Sequence, residues 1–388
     1  MAPTSINPRP GHERQDHRYG SGMSRVLVVA AGGGGDAITA SALVAASPED
    51  DGVAVMSYSW DRLMIDPTPG PRTRHDFTGL TELASGVMQV RPASQLTTPG
   101  ISTLVQLAED LPLPLLLLDP VDGATGIGEQ VHAAAEYFDC DSLMLVDVGG
   151  DALARGDEPG LRSPIADFLA LAACARTGLP VQLLITGLGL DGELETSEMN
   201  SRLDELSGTE VAKLDGDAVA EILHLFEWHP SEANGLLAAA ASGTRGVVET
   251  RDGSGTITVT SASTRVHRVD AAKAIASSPA SRLLDTTSLD DVEDAIRELR
   301  GTSEIDYERD KARRLATGNA EAPTVESLRA IDDYVSEAAN RGIDYLTIRR
   351  AAELVNAMNT RTLQQLRQLL REERAGQYVP PLYRTGSE

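Results

Sequence analysis

The sequence predicts an α/β fold: a doubly wound, mostly parallel sheet in a Rossmann-like three-layer arrangement, followed by a C-terminal helical module. Three observations predict it. Five short apolar runs alternate with helix-like stretches, the strand, helix, strand rhythm of a parallel sheet covered on both faces. Glycine and aspartate recur in the loops that follow the strand candidates. The chain has 388 residues, 41% of them hydrophobic, enough for one large core and a smaller appendage.

Taken in order, residues 1–22 are rich in Pro, Gly, His and charge and contain no apolar run, so they read as a disordered leader and not as a signal peptide. The first strand is predicted over 26–30. It is followed by Gly32-Gly33-Gly34-Gly35-Asp36 and a helix over 37–46. Further strands are predicted over 53–56, 115–118, 143–146 and 181–185, with helices over 128–137 and 164–177. Beyond Leu194 the pattern turns helical, apart from a hairpin over 247–251 and 256–260 around Asp252-Gly253-Ser254-Gly255. That hairpin is expected to extend or cap the sheet. Helical periodicity returns over 290–300, 325–340, 345–359 and 361–373. Residues 316–323 read as a linker, which divides the chain into a ligand-binding α/β domain over 23–315 and a linker with C-terminal helical module over 316–388. The amphipathic stretch 361–374 is suited to packing on the body, on a second subunit in a homo-oligomer, or on another partner.

The formal net charge is -24, from 58 acidic against 34 basic residues. Such a chain repels phosphate backbones and anionic lipid heads, so neither nucleic acid nor a membrane surface is an expected partner. Cys140 and Cys174 are the only cysteines, too few for a disulfide framework or a Cys-based zinc site. No stretch approaches the roughly 20 apolar residues of a membrane span. A cytoplasmic location is expected.

Chemistry concentrates where strands end. Gly32 to Asp36, Asp119-Pro120-Val121-Asp122-Gly123, Asp147-Val148-Gly149-Gly150-Asp151 and Gly187-Leu188-Gly189-Leu190-Asp191-Gly192 would meet at the carboxyl edge of the sheet, where open α/β folds bind ligands. Bare backbone amides at a helix start suit an anion or polar ligand. Gly32, Gly34 and Ala37 satisfy the G-x-G-x-x-A dinucleotide pattern, yet the second strand is followed by Ser57-Tyr58-Ser59 and no ribose-binding acid. A nicotinamide cofactor is therefore not expected. Asp36 reads either as a helix N-cap or as a ligand or metal contact, since a carboxylate beside a phosphate needs an intervening cation. Asp151 repeats the same grammar in a second loop. Glu227-Trp228-His229-Pro230-Ser231-Glu232-Ala233 offers a proton-transfer pair in His229 and Glu227, or else simply a capped helix with Trp228 in the core. Ser163-Pro164 reads as an N-cap with Pro at the first helical position. Arg155 pairs with Asp147 or Asp151, or holds a substrate anion. Glu304 to Lys311 reads as a solvated salt-bridge face.

Taken together, Gly32 to Ala37, Val146 to Gly156, Ser163 to Asp167, Glu227 to Ala233 and Glu304 to Ala312 resemble the uncharacterised family called domain of unknown function 1152, found in archaea and actinobacteria. The resemblance covers about 25–315 and implies a single α/β domain. It implies no activity.

Three functions fit these residues. In the first, an enzyme acts with Mg²⁺ on a nucleotide, sugar phosphate or similar metabolite, by phosphoryl transfer or hydrolysis. Gly32, Gly33, Gly34, Gly35, Gly149 and Gly150 would hold the anion, with Gly187 and Gly189 completing the rim. Asp36 and Asp151 would hold the metal, Asp147 would line the crevice, and Asp151, His229 and Glu227 would be catalytic. Arg155 would neutralise charge. In the second, a metal-free enzyme binds an amino acid or amine through the same aspartates. In the third, the body senses a metabolite and the C-terminal helices signal to a partner.

Overall fold

The computed structural model describes residues 24–47, 49–251, 255–315 and 320–386. The expected leader at 1–22, the hairpin turn at 252–254 and residues 316–319 of the expected linker lie outside the described residues. All five apolar runs are strands: β1 (Ser24–Gly33), β2 (Asp50–Tyr58), β3 (Leu115–Leu117), β4 (Ser142–Val148) and β5 (Val181–Thr186). They pair in parallel, in the spatial order β3-β2-β1-β4-β5, at the centre of a nine-stranded sheet. Antiparallel strands finish both edges. Arg265–Val269 and Thr209–Lys213 lie beyond β5, and Val87–Gln89 and Thr81–Ala84 lie beyond β3.

Helix α1 (Asp36–Ala46) connects β1 to β2, α2 (Gly123–Phe138) precedes β4, and α3 (Ile165–Arg176) connects β4 to β5. A later helix, α4 (Glu232–Ala241), packs beside α1. Helices cover both faces of the sheet, so its central strands are continuously apolar and do not alternate. Leu27, Val29 and Ala31 of β1 join a core with Ile127 and Val131 of α2 and Phe168 and Leu171 of α3. Val26, Val28 and Ala30 join the opposite core with Ile38 of α1 and Leu236 and Leu237 of α4. The chain leaves β1 for β2 on one side and returns to β4 on the other. That reversal opens a crevice at the carboxyl ends of β1 and β4.

The hairpin forms but does not extend this sheet. Gly246–Glu249 and Thr256–Val259 join Tyr345–Thr347, Leu382–Arg384 and Tyr378–Val379 in a separate five-stranded sheet. The C-terminal segment is accordingly mixed and not purely helical. Tyr345 to Thr347, expected to open a helix, form a strand instead. Leu346 is buried there, and Thr347 caps the helix Ile348–Leu354 by accepting from the Arg350 N–H. Tertiary pairing here overrides a helical pattern.

Helices Leu328–Asn340 and Thr360–Glu373 follow the periodicity closely. Leu363, Leu366 and Leu370 are buried in a third core with Met64 and Ile65 of the body. Arg367 donates to the carbonyls of Phe226 and Glu227. The apolar face of residues 361–374 is thus covered by the chain itself, and of the three roles open to it packing on the body is the one adopted. No helix among the described residues is long and apolar enough to cross a membrane.

Candidate functional site

The glycine run is bare because neighbours crowd it on every side. A Cβ on Gly33 would lie 2.6 Å from the Trp60 carbonyl oxygen, and one on Gly35 would lie 2.6 Å from Ser231 Oγ. β1 itself continues through Gly33, which pairs with Tyr58, so the loop shortens to Gly34 and Gly35. Asp36 then enters as the first residue of α1, so Gly35, and not Asp36, is the helix N-cap. The Asp36 carboxylate is held from three directions. Oδ2 accepts from the Gly32 and Val148 amides at 3.1 and 3.3 Å, and Oδ1 accepts from Asn234 Nδ2 at 2.9 Å. Asn234 is fixed in turn by Thr39, whose hydroxyl donates to Asn234 Oδ1 at 2.5 Å.

Asp147 sits at the end of β4 and is also built in. The Gly150 amide donates to its Oδ1 at 3.2 Å and the Ala152 amide to its Oδ2 at 2.9 Å. Gly149 and Gly150 make this turn with φ of 132° and 108°, a region that side-chain-bearing residues rarely adopt. The loop after β5 docks on it, with Gly189 N–H donating to the Gly149 carbonyl at 2.8 Å. A Cβ on Gly149 would sit 2.5 Å from Asp191 Oδ2. These glycines place Asp147, Asp151 and Asp191 and do not themselves line the pocket.

Asp36, Asp61, Asp147, Asp151, Asp167, Asp191, Glu304 and Glu308 converge on a cavity of about 110 Å³. Asp61 follows β2 and accepts from the backbone N–H and hydroxyl of Thr103. Asp167 lies in the first turn of α3, and no hydrogen bond to its carboxylate occurs among the described residues. Glu304 and Glu308 come from α5 (Glu304–Leu315), where Glu308 accepts from Trp60 Nε1 and the Gly70 amide. One oxygen each of Asp36, Asp147 and Asp167 lies within 4.8 Å of the others. Asp151 Oδ1 is buried with no hydrogen-bond partner.

So many carboxylates cannot all carry charge in one dry space. At that separation two unit charges repel by about 3 to 4 kcal/mol at an effective dielectric constant of 20. Burial raises Asp36 to about 6, and burial with the Asp36 charge raises Asp147 to about 7. Burial with Glu193 raises Asp191 to about 7. Asp151, Asp167 and Glu304 are held well above the ordinary carboxylate range by burial first and acidic neighbours second. Among the residues lining the cavity Arg62 is the only arginine or lysine. His229 adds no charge, because burial, with Arg367 nearby, lowers it to about 3. Its Nδ1 accepts from the Ser231 N–H at 3.2 Å, which puts the proton on Nε2.

Of the residues singled out in the sequence, Gly32 to Gly35, Asp36, Asp147, Asp151 and His229 come together here. Others do not. Glu227 is 54% exposed and paired with Arg371 at 2.9 Å, because the 3-10 turn Leu223–Glu227 directs it outward. It cannot orient His229. Arg155 is 49% exposed and paired with Glu205 at 2.5 Å, and not with Asp147 or Asp151. Gly149, Gly150, Gly187 and Gly189 act behind the wall. Asp119 caps Val121 and pairs with Arg74, so the loop after β3 is replaced in the site by Trp60, Asp61 and Arg62 after β2. Asp36 has Asp147 and Asp167 as its close partners in the oxygen cluster; Asp151 lines the same cavity outside that trio.

Helix starts are shifted by one or two residues: Pro164 and Ser231 are the N-caps of α3 and α4. Ser163 instead donates to Glu193 at 2.7 Å. The supposedly solvated run at 304–311 turns two carboxylates inward. Asp167 and Asn234 were legible as single polar residues inside alanine- and leucine-rich helices, a placement that needs a partner. Glu304 and Glu308 carried only their spacing of four, which flanks buried Ile305.

No curated protein and no solved structure matches the chain. The profile of the family described as Protein of unknown function (DUF1152) matches residues 27–312, from β1 into α5, and the chain belongs to that family.

Proposed function

We propose that the pocket binds a divalent cation, Mg²⁺ by preference, and transfers or hydrolyses a phosphoryl group of a small polar metabolite such as a nucleotide or sugar phosphate. The observation that carries this reading is the trio of Asp36, Asp147 and Asp167, with ligand oxygens within 4.8 Å of one another. Oxygens about 2.1 Å from Mg²⁺ stand roughly 3 to 4 Å apart, so the trio needs only a small closure. Asp167 has no competing hydrogen bond among the described residues, and Asp151 Oδ1 has none either. The cation would supply Lewis acidity and neutralise the phosphoryl oxygens. Its site would lie at the point where the strand order reverses, which is where Rossmann-like sheets take ligands.

Proton transfer falls to carboxyls and not to His229 with Glu227. Asp151, which lines the same cavity and has an unpartnered Oδ1, would be the base. In hydrolysis the water oxygen forms the new P–O bond and its proton passes to Asp151. The ester oxygen leaves with the electron pair of the broken P–O bond and takes a proton from Glu304, whose pKa burial first, and then Glu308 and Glu193, raise well above the ordinary carboxylate range.

The test is a thermal-shift screen of the full chain against nucleotides, sugar phosphates, amino acids and amines, each with and without Mg²⁺. The reading requires a shift that needs both a phosphate and Mg²⁺ and is lost in Asp36→Asn and Asp167→Asn. A shift with an amine alone overturns it in favour of a metal-free cationic substrate.

A further inference from the structure

A second chamber of about 70 Å³ adjoins the acidic pocket, sharing Arg62, Ser163, Glu304 and Glu308 as walls. Its charge is of the opposite kind. Arg62, Arg162, Arg251, Lys311 and Arg349 all line it, in a chain of net charge -24 with only three lysines. The carboxylates on its walls already have partners, and among the described residues neither Arg62 nor Arg349 is hydrogen-bonded to one of them. Glu193 accepts from the Arg162 and Ser163 amides and the Ser163 hydroxyl, and pairs with Arg251 at 3.4 Å. Glu308 accepts from Trp60 and Gly70, and Glu304 accepts from the Ile165 amide while burial raises it well above the ordinary carboxylate range.

Two guanidinium groups there are short of partners. The Arg349 side chain is 10% exposed, with Nε and Nη1 making no hydrogen bond, and its one ion pair among the described residues, to Glu232, is long at 3.7 Å. Arg62 is half-buried, and no carboxylate among the described residues lies within ion-pair distance of it. Burial lowers Arg349 to about 10, and the charges of Arg251 and Arg62 act in the same sense against those of Glu232 and Glu353. Like charges gathered in a semi-enclosed space are stabilised by an oxyanion, for which the planar guanidinium fork is suited.

We propose that this outer chamber is an oxyanion subsite that holds a second anionic group of the substrate, with Arg62 and Arg349 as its main contacts. The inference rests on the reading of the inner pocket for its biological sense. It narrows the substrate to a metabolite with two anionic ends: a reacting phosphoryl group inside and a phosphate or carboxylate outside. Arg62, which lines both chambers, would stand between the two groups.

The experiment is isothermal titration calorimetry of the full chain with inorganic phosphate and, separately, acetate, both in EDTA so that no metal-bridged binding in the inner pocket contributes. The proposal expects binding of at least one anion, weakened about tenfold or more in Arg62→Ala and in Arg349→Gln, as for loss of a charge-assisted hydrogen bond. Tighter binding of phosphate assigns the outer group as a phosphate, and tighter binding of acetate assigns it as a carboxylate. Arg62→Ala removes a half-buried side chain, so it reads the subsite even where Arg349→Gln lowers stability. Binding of neither anion overturns the proposal, as does binding unchanged in a folded Arg62→Ala variant. Because metal is absent, these outcomes are separate from the Mg²⁺ dependence of the inner pocket.

Discussion

Asn234 Nδ2 donates to Asp36 Oδ1 at 2.9 Å across 198 residues of sequence, tying the start of α4 to the start of α1. This contact orients the carboxylate on which the pocket is centred. It also lowers the Asp36 pKa, against the larger upward effect of burial. Replacing Asn234 with Ala therefore has two expected effects. Asp36 rises above about 6, so cation binding at pH 7 weakens and recovers at higher pH. Thr39 Oγ1 also loses its acceptor, which costs about 1 to 3 kcal/mol of stability. Urea unfolding and a Mg²⁺ titration at two pH values measure both.

The raised carboxyls make metal-free stability depend on pH in a defined direction. Asp36 and Asp61 titrate at about 6, and Asp147 and Asp191 at about 7, all above their unfolded values near 4. Between about pH 4 and 7 the folded state holds more protons than the unfolded chain, so stability falls as pH rises through that window. His229, lowered to about 3, and His267, lowered by partial burial, act in the opposite sense below about 6.5, but they are two groups against several. Thermal melts in EDTA should show Tm decreasing from pH 5 to pH 8, and Mg²⁺ should flatten the slope. A Tm that climbs over this range contradicts the assignment.

Asp167 has no hydrogen bond to lose among the described residues and sits among like charges. Asp167→Asn is expected to raise the metal-free Tm at pH 8 while removing the response to Mg²⁺, the exchange of stability for function common at strained sites. Differential scanning calorimetry with and without Mg²⁺ checks both halves.

Glu227 gives the complementary result. Its exposed pair with Arg371 is of a kind worth up to about 1 kcal/mol. Glu227→Gln should leave the Mg²⁺ response unchanged, whereas Gly33→Ala, driven against the Trp60 carbonyl, should cost about 1 to 3 kcal/mol by overpacking and disturb the response. Parallel melts of the two variants read the difference.

The central sheet was legible because burial on both faces leaves uninterrupted apolar runs, and all five became its parallel strands. Asp36, Asp147 and Asp151 were legible because strand ends with Gly and Asp mark a ligand edge. Glu304 and Glu308 were hidden because an α-helix with many charges has the same pattern whether it faces water or a cavity. Only the docking of α5, with its contacts to Trp60 and Gly70, decides the matter. The second sheet was hidden for a related reason. Tyr345 to Thr347 are short, and their strand state comes from partners at Val248, Glu249 and Leu382 to Arg384, far away in sequence.

The claim that Asp36, Asp147 and Asp167 together hold a divalent cation is tested most directly by isothermal titration calorimetry of Mg²⁺ and Mn²⁺ into EDTA-stripped protein. The titration is repeated at pH 7 in two buffers of different ionisation enthalpy, for the unaltered chain and for Asp167→Asn. The account predicts binding whose heat depends on the buffer, because a cation must displace protons from carboxyls raised to about 6 and about 7. It also predicts affinity at least tenfold weaker in Asp167→Asn. Absence of binding, or equal affinity in both proteins with no proton release, would contradict it.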